Sequence, residues 1–421
     1  MYAYFAALIL LCQISFDYNT YKTRIAPPIV LEIMWLGVHV CNMLLGWHSG
    51  SIEYLIFIIP PLMFGVGFRI SYKNFFSFAL FGKKSRRLHI GFAGELNYNW
   101  LYVLLFIDAV MLTIQILVNG SQIVNYGFQN LWQNVHTYNV NRVTQESAYI
   151  TYSTPASYIF SGVCALCYFK DKSKKCLIIY ISVLTIAFAR AFLAGNRTSL
   201  FMVICINAFS ILLYYMTHYT KRTAQQKSKK IYFISISASL LMFLYVATQK
   251  YSSFYEKSDI YNFIVKNLAG YYNLSSAAFI EWYKNGFQTL YGLNTFRFFY
   301  AILAKIGFNV EVVNTTSSIN YIFYEGNWTN AFTVCSTYIQ DFGLVFMAFM
   351  LMLFGWVHGL FYKRCFESSG QERYCSIVIC GALYLGVLYQ VLTDQYMNIL
   401  SMWISFFIWV HVFTKLVFKK Y

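Results

Sequence analysis

Charged residues are scarce in this chain of 421 residues, and their scarcity argues against a soluble protein. Only 11% of the residues are charged, whereas a soluble domain carries about a quarter. Hydrophobic residues make up 58% of the chain, and only 5 prolines interrupt them. Most of the chain is therefore expected to face something other than water.

The chain also lacks the local motifs of soluble enzymes, disulfide-linked proteins and metal sites. Its 10 cysteines are scattered through apolar segments without a disulfide framework, and the pair Cys164 and Cys167 has no second pair to complete a metal site. No two histidines show ligand spacing. No nucleophile elbow, phosphate-binding loop or dinucleotide fingerprint occurs in a credible context. Neither a metal nor a cofactor is predicted.

What the sequence does contain is a series of about eleven apolar stretches, each long enough for a helix to cross the hydrocarbon of a bilayer. These predicted spans lie at about 1–16, 28–47, 51–70, 99–118, 151–169, 176–194, 198–216, 231–249, 334–361, 374–393 and 396–414. The first span lacks the basic leader and cleavage site of a signal peptide, so we expect it to remain in place. The pattern predicts an all-α polytopic membrane protein, a single integral membrane domain over 1–421.

The basic residues predict the orientation of this domain. Most of the 32 Lys and Arg residues fall after the first, third, fifth, seventh, ninth and last spans. Basic loops stay on the cytoplasmic side, so the N-terminus is predicted to lie outside and the C-terminus in the cytoplasm. The net charge of +16 then reflects anchoring at the lipid bilayer, and no nucleic-acid partner is predicted.

Two long segments are predicted to form outer loops, at 119–150 and 250–333. Loops of this length in a compact protein are usually functional. Within the larger loop, 261–282 has apolar residues at helical spacing and is expected to lie along the membrane interface. The apolar stretch 290–308 is broken by Gly292, Arg297 and Lys305 and is interpreted as interfacial or re-entrant.

Two arginines near the outer end of the sixth span are candidate anion-binding residues. Arg190 and Arg197 are separated by about two helical turns, so both can project from one face if the helix persists. Guanidinium groups bind phosphate or pyrophosphate through paired donors. The alternative is that Arg190 pairs with an embedded carboxylate such as Asp108, while Arg197 only caps a turn.

Asp341 is the candidate base at the outer end of the ninth span, and Asp394 is interpreted as a cap in a short outer turn. A partly buried carboxylate can accept a proton from a substrate or orient an arginine. The alternative for Asp341 is a polar start to the helix.

Three short motifs occur in order between Ala194 and Gly355. A turn, Ala194-Gly195-Asn196-Arg197-Thr198, enters an apolar helix, and Tyr291-Gly292-Leu293-Asn294-Thr295-Phe296 lies in the large outer loop. The third runs from Asn330-Ala331-Phe332-Thr333 through Tyr338 to Asp341-Phe342-Gly343 and an apolar helix reaching Gly355. In this order, with this layout of spans, the chain resembles the Wzy-type O-antigen polymerases, the oligosaccharide repeat-unit polymerases. It departs from their pattern at Asn196, where a small residue is commoner.

The resemblance implies a multi-pass glycosyltransferase of the bacterial inner membrane. Such an enzyme transfers a glycan en bloc from undecaprenyl pyrophosphate to the terminal sugar of another lipid-linked repeat, without a metal or a nucleotide sugar. A chain-length regulator and a flippase are the implied partners.

Candidate residues for this reaction follow from the chemistry it requires. Fixed arginines would stabilise the departing pyrophosphate, and an acceptor hydroxyl needs a positioned base. The hypothesis assigns pyrophosphate binding to Arg190 and Arg197 with Arg297 or Arg142, the base to Asp341 or Glu281, and sugar contacts to Asn330 and Tyr338.

Two other functions remain open from the sequence. An O-antigen ligase shares the donor lipid, but such ligases usually use a His and Arg pair in the outer loop, and 250–333 contains no His. A flippase or transporter of lipid-linked oligosaccharides would be expected to show two related halves. No internal repeat is apparent.

Overall fold

The computed structural model describes residues 2–48, 50–73, 95–125, 148–194, 197–219, 223, 226, 273–312, 322–324, 327–329 and 331–419. Nearly all the regular structure in these residues is helical. The helices are α1 (Tyr2–Tyr21), α2 (Pro27–Leu45), α3 (Ile59–Tyr72, entered directly from a 3₁₀ helix at Ile52–Ile58), α4 (Tyr98–Asn125), α5 (Ala148–Asp171), α6 (Lys174–Leu193), α7 (Arg197–His218), α8 (273–284), α9 (Arg297–Lys305), α10 (Thr333–Glu367), α11 (Gly370–Tyr389) and α12 (Leu400–Val417).

Among the described residues, eight helical stretches are long and apolar enough to cross a membrane. They are Pro27–Leu45, Ile52–Tyr72, Tyr98–Val118, Lys174–Leu193, Thr198–His218, Thr333–Glu367, Gly370–Tyr389 and Leu400–Val417. These stretches coincide with eight of the eleven predicted spans, and they make the chain a polytopic membrane protein. The predicted spans at 1–16 and 151–169 are helical as α1 and α5 but do not belong to the eight. The span at 231–249 lies outside the described residues.

The chain divides into two compact units. The first draws on Met1–Phe81, Asp259–Leu360 and Gly386–Ser401, and the second on Gly82–Ser258, Phe361–Leu385 and Met402–Tyr421. In the first unit the indole of Trp35 stacks on Phe57 with ring centroids 5.3 Å apart, and Phe57 also contacts Phe279 of α8. These side chains are fully buried and form part of a continuous aromatic and aliphatic core.

Helices α3 and α10 of the first unit pack through their backbones. Gly355 and Gly359 of α10 face Phe64 and Phe68 of α3, and Gly67 of α3 faces Met352. A Cβ atom placed on Gly355 would lie 2.7 Å from the carbonyl carbon of Phe64, so no larger residue fits this spacing. The spacing Gly-x-x-x-Gly is typical of membrane helices that approach closely without a hydrophobic driving force between them.

In the second unit α5, α7, α11 and α12 share a core. Phe160 packs against Phe413, and Phe209 stacks on Tyr384 with ring centroids 3.8 Å apart. The amide of Asn207 donates to the hydroxyl of Ser161 at 2.8 Å, which satisfies one buried polar group between α7 and α5.

The large outer loop predicted at 250–333 contains structure that the sequence analysis did not foresee. Ile322–Tyr324 and Asn327–Thr329 form an antiparallel hairpin, with Phe323 opposite Trp328. The apolar stretch at 290–308 contains only the nine-residue helix α9, which rises about 13 Å and is too short to span the bilayer. None of the α9 side chains is buried. Whether this stretch is interfacial or re-entrant stays a prediction.

Candidate functional site

Asp341, near the start of α10, binds the turn that precedes α9. Its Oδ2 atom accepts hydrogen bonds from the backbone N–H and the hydroxyl of Thr295, both at 2.6 Å. Its Oδ1 atom accepts from the N–H of Asn294 at 3.3 Å. The carboxylate is fully buried, so these donors replace the water that it would otherwise require. Two motifs that are some 45 residues apart in sequence therefore meet through one side chain.

Gln340 reinforces the same junction. Its backbone carbonyl accepts from the N–H of Leu290 at 3.1 Å, and its side-chain oxygen accepts from the amide of Asn294 at 3.0 Å. The turn closes on itself through the N–H of Phe296, which donates to the carbonyl of Gly292 at 2.8 Å. The first residue after this turn is Arg297, the N-terminal residue of α9. Gln340 and Asp341 therefore fix where α9 begins.

Two glycines make the junction sterically possible. Gly343 has φ +82° and interrupts the helical backbone of α10 two residues after Asp341. Gly292 has φ +94°, and a Cβ atom there would lie 2.9 Å from ring atoms of both Phe296 and Phe342. Residues with a side chain rarely adopt these φ values, and at Gly292 there is also no room for one.

Helix α9 carries Arg297 at the edge of an apolar surface. Phe299, Ile302 and Ile306 are between 43% and 65% exposed, which is unusual for large apolar side chains in contact with water. Arg297 is half-buried, and its burial lowers the pKa of the guanidinium from its ordinary value. A short helix with exposed apolar side chains is suited to lie at a membrane interface, as the sequence predicts for this stretch.

Glu281 lies on α8 opposite the end of α2. Its Oε2 atom is 3.6 Å from Nε2 of His48, and its side chain is 36% exposed. One helical turn further, Lys284 is 3.9 Å from Glu53. Glu281 is thus a partly exposed carboxylate next to an imidazole, an arrangement in which a proton can be accepted and passed on.

Tyr338 is buried, and its hydroxyl donates to Oδ1 of Asp394 at 2.8 Å. Asp394 also accepts from the N–H groups of Tyr396, Met397 and Asn398, so the prediction that it is a cap is confirmed, while the outer position of this turn stays a prediction. The Tyr338 ring packs against Phe346 and Phe354. A sugar contact by Tyr338 would require these partners to be displaced, and that role stays a prediction.

Arg190 belongs to the second unit and pairs with Asp108, which is the alternative to ligand binding that the sequence left open. Its Nη1 atom donates to Asp108 at 3.0 Å and to the carbonyl of Ser153 at 3.1 Å. Its Nε atom donates to Gln115, and its Nη2 atom donates to the hydroxyls of Ser153 and Thr154. All five N–H donors are used and the side chain is 1% exposed. A pyrophosphate would have to displace these partners to bind Arg190.

Three predicted site residues have no described side chain. The backbone of Arg197 begins α7, but its side chain is outside the described part of the chain. Arg142 and Asn330 lie outside the described residues altogether. The roles predicted for these three residues stay predictions.

The sequence analysis did not identify the residues that bind Asp341, nor a second set of ionisable side chains inside the first unit. Asn294 and Thr295 were noted only as part of a motif, and their partner could not be inferred from spacing. Asp17, Glu32 and Arg69 stand in or beside predicted spans and are in contact in the structure. An ionisable residue inside a span is itself the signal that could have identified them.

Together these features define a polytopic membrane protein with polar junctions built between its helices. No protein-family profile, curated protein or solved structure matches this chain. Any function must therefore be argued from the residues themselves.

Proposed function

We propose that this protein polymerises lipid-linked oligosaccharide repeat units at the outer face of a bacterial inner membrane. The donor glycan is carried on undecaprenyl pyrophosphate, and the acceptor is the terminal sugar of a second lipid-linked repeat. The observation that carries the proposal is the junction of Asp341 with the Asn294–Thr295 turn. Two motifs of the resemblance meet there directly, and Arg297 follows as the first residue of α9.

In this reaction an acceptor hydroxyl attacks the anomeric carbon of the donor sugar. The new glycosidic bond forms as the bond from that carbon to the pyrophosphate oxygen breaks, and the lipid pyrophosphate leaves with the bonding electrons. Arg297 stabilises the negative charge that develops on the leaving group, because a guanidinium offers paired donors to phosphate oxygens. Its half-buried position strengthens this interaction relative to water.

Glu281 is assigned as the base that accepts the proton of the acceptor hydroxyl. This carboxylate is accessible, and His48 lies 3.6 Å away to take part in proton release. Asp341 is assigned a positioning role, because its carboxylate already accepts three hydrogen bonds in a fully buried position. Of the two roles considered for Asp341, orienting an arginine through the α9 turn fits these contacts better than proton transfer.

The test compares single variants in cells from which the gene has been deleted, with the surface polysaccharide separated by electrophoresis. Loss of the Arg297 guanidinium in Arg297→Ala is expected to lower polymerisation by about 10²–10³-fold, as when one transition-state donor is removed. Loss of the base in Glu281→Gln is expected to lower it by about 10²–10⁴-fold. Lys305→Ala, at the other end of α9, is the matched control and is expected to retain the polysaccharide ladder.

The amount of each variant in the membrane is measured by immunoblot, so that a folding defect is distinguished from a catalytic one. A deletion strain that carries a single repeat on its lipid core would support a polymerase. A core with no repeat would favour the ligase or flippase alternatives, and unattached polymer on its carrier lipid would identify the ligase. Full ladders from Arg297→Ala at normal protein level would refute the assignment of Arg297.

A further inference from the structure

Three ionisable side chains meet inside the first unit, on helices α1, α2 and α3. Asp17 and Glu32 are fully buried, and Arg69 is 23% exposed. Arg69 donates from Nε and from Nη2 to the same oxygen of Asp17, Oδ1, at 2.9 Å and 2.7 Å. Asp17 is therefore already paired with the guanidinium, and its other oxygen, Oδ2, accepts no hydrogen bond.

Glu32 lies beside this pair without a counter-ion of its own. The charged groups that act on it are Asp17 and Arg69, and Gln13 is the remaining polar neighbour. Both carboxylate oxygens of Glu32 are buried without a hydrogen-bond partner. The Nε2 atom of Gln13 donates to the carbonyl of Pro61 at 3.1 Å, and its side-chain oxygen is also buried without a partner. Four buried acceptor atoms thus lie in one cluster without a hydrogen bond.

Gly65 provides the space in which these groups converge. A Cβ atom on Gly65 would lie 3.1 Å from Nε2 of Gln13, 3.7 Å from Nη2 of Arg69 and 3.8 Å from Oδ2 of Asp17. The other titratable neighbours do not supply a positive charge. Tyr21 and Tyr72 pack edge to face next to the cluster, and His358 of α10 faces Phe64 of α3 with both rings buried.

The cluster therefore holds two carboxyl groups and one guanidinium. An unpaired carboxylate in a low-dielectric interior is neutralised in preference to remaining charged. Two carboxyl groups that share a site commonly hold one proton between them.

We propose that Asp17, Glu32 and Arg69 form a proton-binding site inside the helix bundle of the first unit, in which Glu32 carries the proton and its O–H donates a hydrogen bond to Asp17. The proton is taken from water and returned to water, with no other bond formed or broken. The O–H of Glu32 supplies the donor that Oδ2 of Asp17 lacks. Arg69 lies at the end of the third predicted span and Lys73 follows it, so the positive-inside pattern predicts that this end of the unit is on the cytoplasmic side.

The proposal predicts a protonated carboxylic acid in the full-length protein at neutral pH, detected by its carbonyl stretching band in infrared spectra of the protein in lipid. Glu32→Gln resembles the protonated acid in shape and should lose the band while the protein still folds. Asp17→Asn should also lose it, because Glu32 then becomes the counter-ion of Arg69. Arg69→Gln should increase the band, since both carboxyl groups are then without a counter-ion.

Glu53→Gln is the matched control, because Glu53 is partly exposed and paired with Lys284, and the band should be unchanged. Absence of the band in the wild-type protein at neutral pH would overturn the proposal, as would its persistence in both Glu32→Gln and Asp17→Asn. The spectra are also compared in sodium and in choline buffers. A band that disappears in sodium and returns in choline would mean that a monovalent cation occupies the site, which would likewise overturn the assignment of a proton.

Discussion

Replacing Gly355 or Gly67 with alanine tests whether direct backbone packing holds α3 and α10 together. A Cβ atom on Gly355 would lie 2.7 Å from the carbonyl carbon of Phe64, and one on Gly67 would lie 2.7 Å from the carbonyl carbon of Met352. Ordinary van der Waals contact begins at 3.4 Å. The two helices would have to separate by at least about 0.7 Å to accept either methyl group. Backbone atoms cannot give way as the end of a flexible side chain can.

Overpacking of this kind costs about 1–3 kcal/mol for each substitution. The two effects should not add, because the separation that accommodates one methyl group also makes room for the other. The double variant is therefore expected to lose about as much stability as the worse single variant. The double-mutant cycle should then show a coupling free energy of about 1–3 kcal/mol, which is large for two residues on different helices.

The assay is the free energy of unfolding of the purified protein in mild detergent, titrated with a denaturing detergent. Gly50→Ala is the control, because a Cβ atom there meets nothing within 4 Å and its φ lies outside the left-handed region. Losses that add in the double variant would show that the helices do not separate as a unit. Single variants as stable as Gly50→Ala would refute close packing of α3 and α10 altogether.

Two further predictions concern the second unit. Asp108→Asn should destabilise the protein by about 3–5 kcal/mol, because Arg190 is left buried without its anion. The double variant that also carries Arg190→Gln should recover part of this loss in the same unfolding titration. Equal losses of stability in the single and double variants would contradict the pairing. Hydrogen bonds from the hydroxyls of Ser173 and Tyr98 lower the pKa of Asp171 below its ordinary value. The ionised Asp171 side chain therefore stabilises the folded protein above the unfolded pKa of about 3.9, and this contribution is lost as the pH falls through the lower folded pKa. The difference in thermal midpoint between Asp171→Asn and wild type should accordingly be small at neutral pH, because Asp171 is exposed, and should vanish in acid; a difference that grows in acid would contradict this sign.

The helices themselves are largely predictable from the sequence. A run of about 20 apolar residues can satisfy its backbone in lipid only as a helix, so local composition is enough to identify it. Eight predicted spans coincide with helices long and apolar enough to cross a membrane. The predicted ends of the helices are less accurate where polar contacts decide at which residue a helix begins. The eleventh predicted span was placed from 396, but α12 begins at Leu400 because Asp394 holds 396–398 in a turn.

The sequence also identified several polar residues that matter, but it did not identify their partners. Asp341 was recognised as an unusual carboxylate, yet its contact with Thr295 depends on how a turn 46 residues away packs against α10. Arg190 was predicted equally well to bind a ligand or to pair with Asp108, and only the packing of α4 against α6 selects the ion pair. The Gly355–Gly359 spacing was not singled out from the sequence, and its partner helix α3 is known only from the packing.

What the sequence alone determined is that this protein is embedded in a membrane. Its composition requires a membrane, and the spacing of its basic residues favours one orientation. Those properties depend on each residue separately, so they can be read along the chain. What the tertiary structure decided is which buried charges are compensated. Arg190 and Asp341 have their partners, whereas Glu32 has two carboxylate oxygens without one. Compensation requires donor and acceptor atoms within about 3 Å, and in a helical bundle only packing brings distant residues that close.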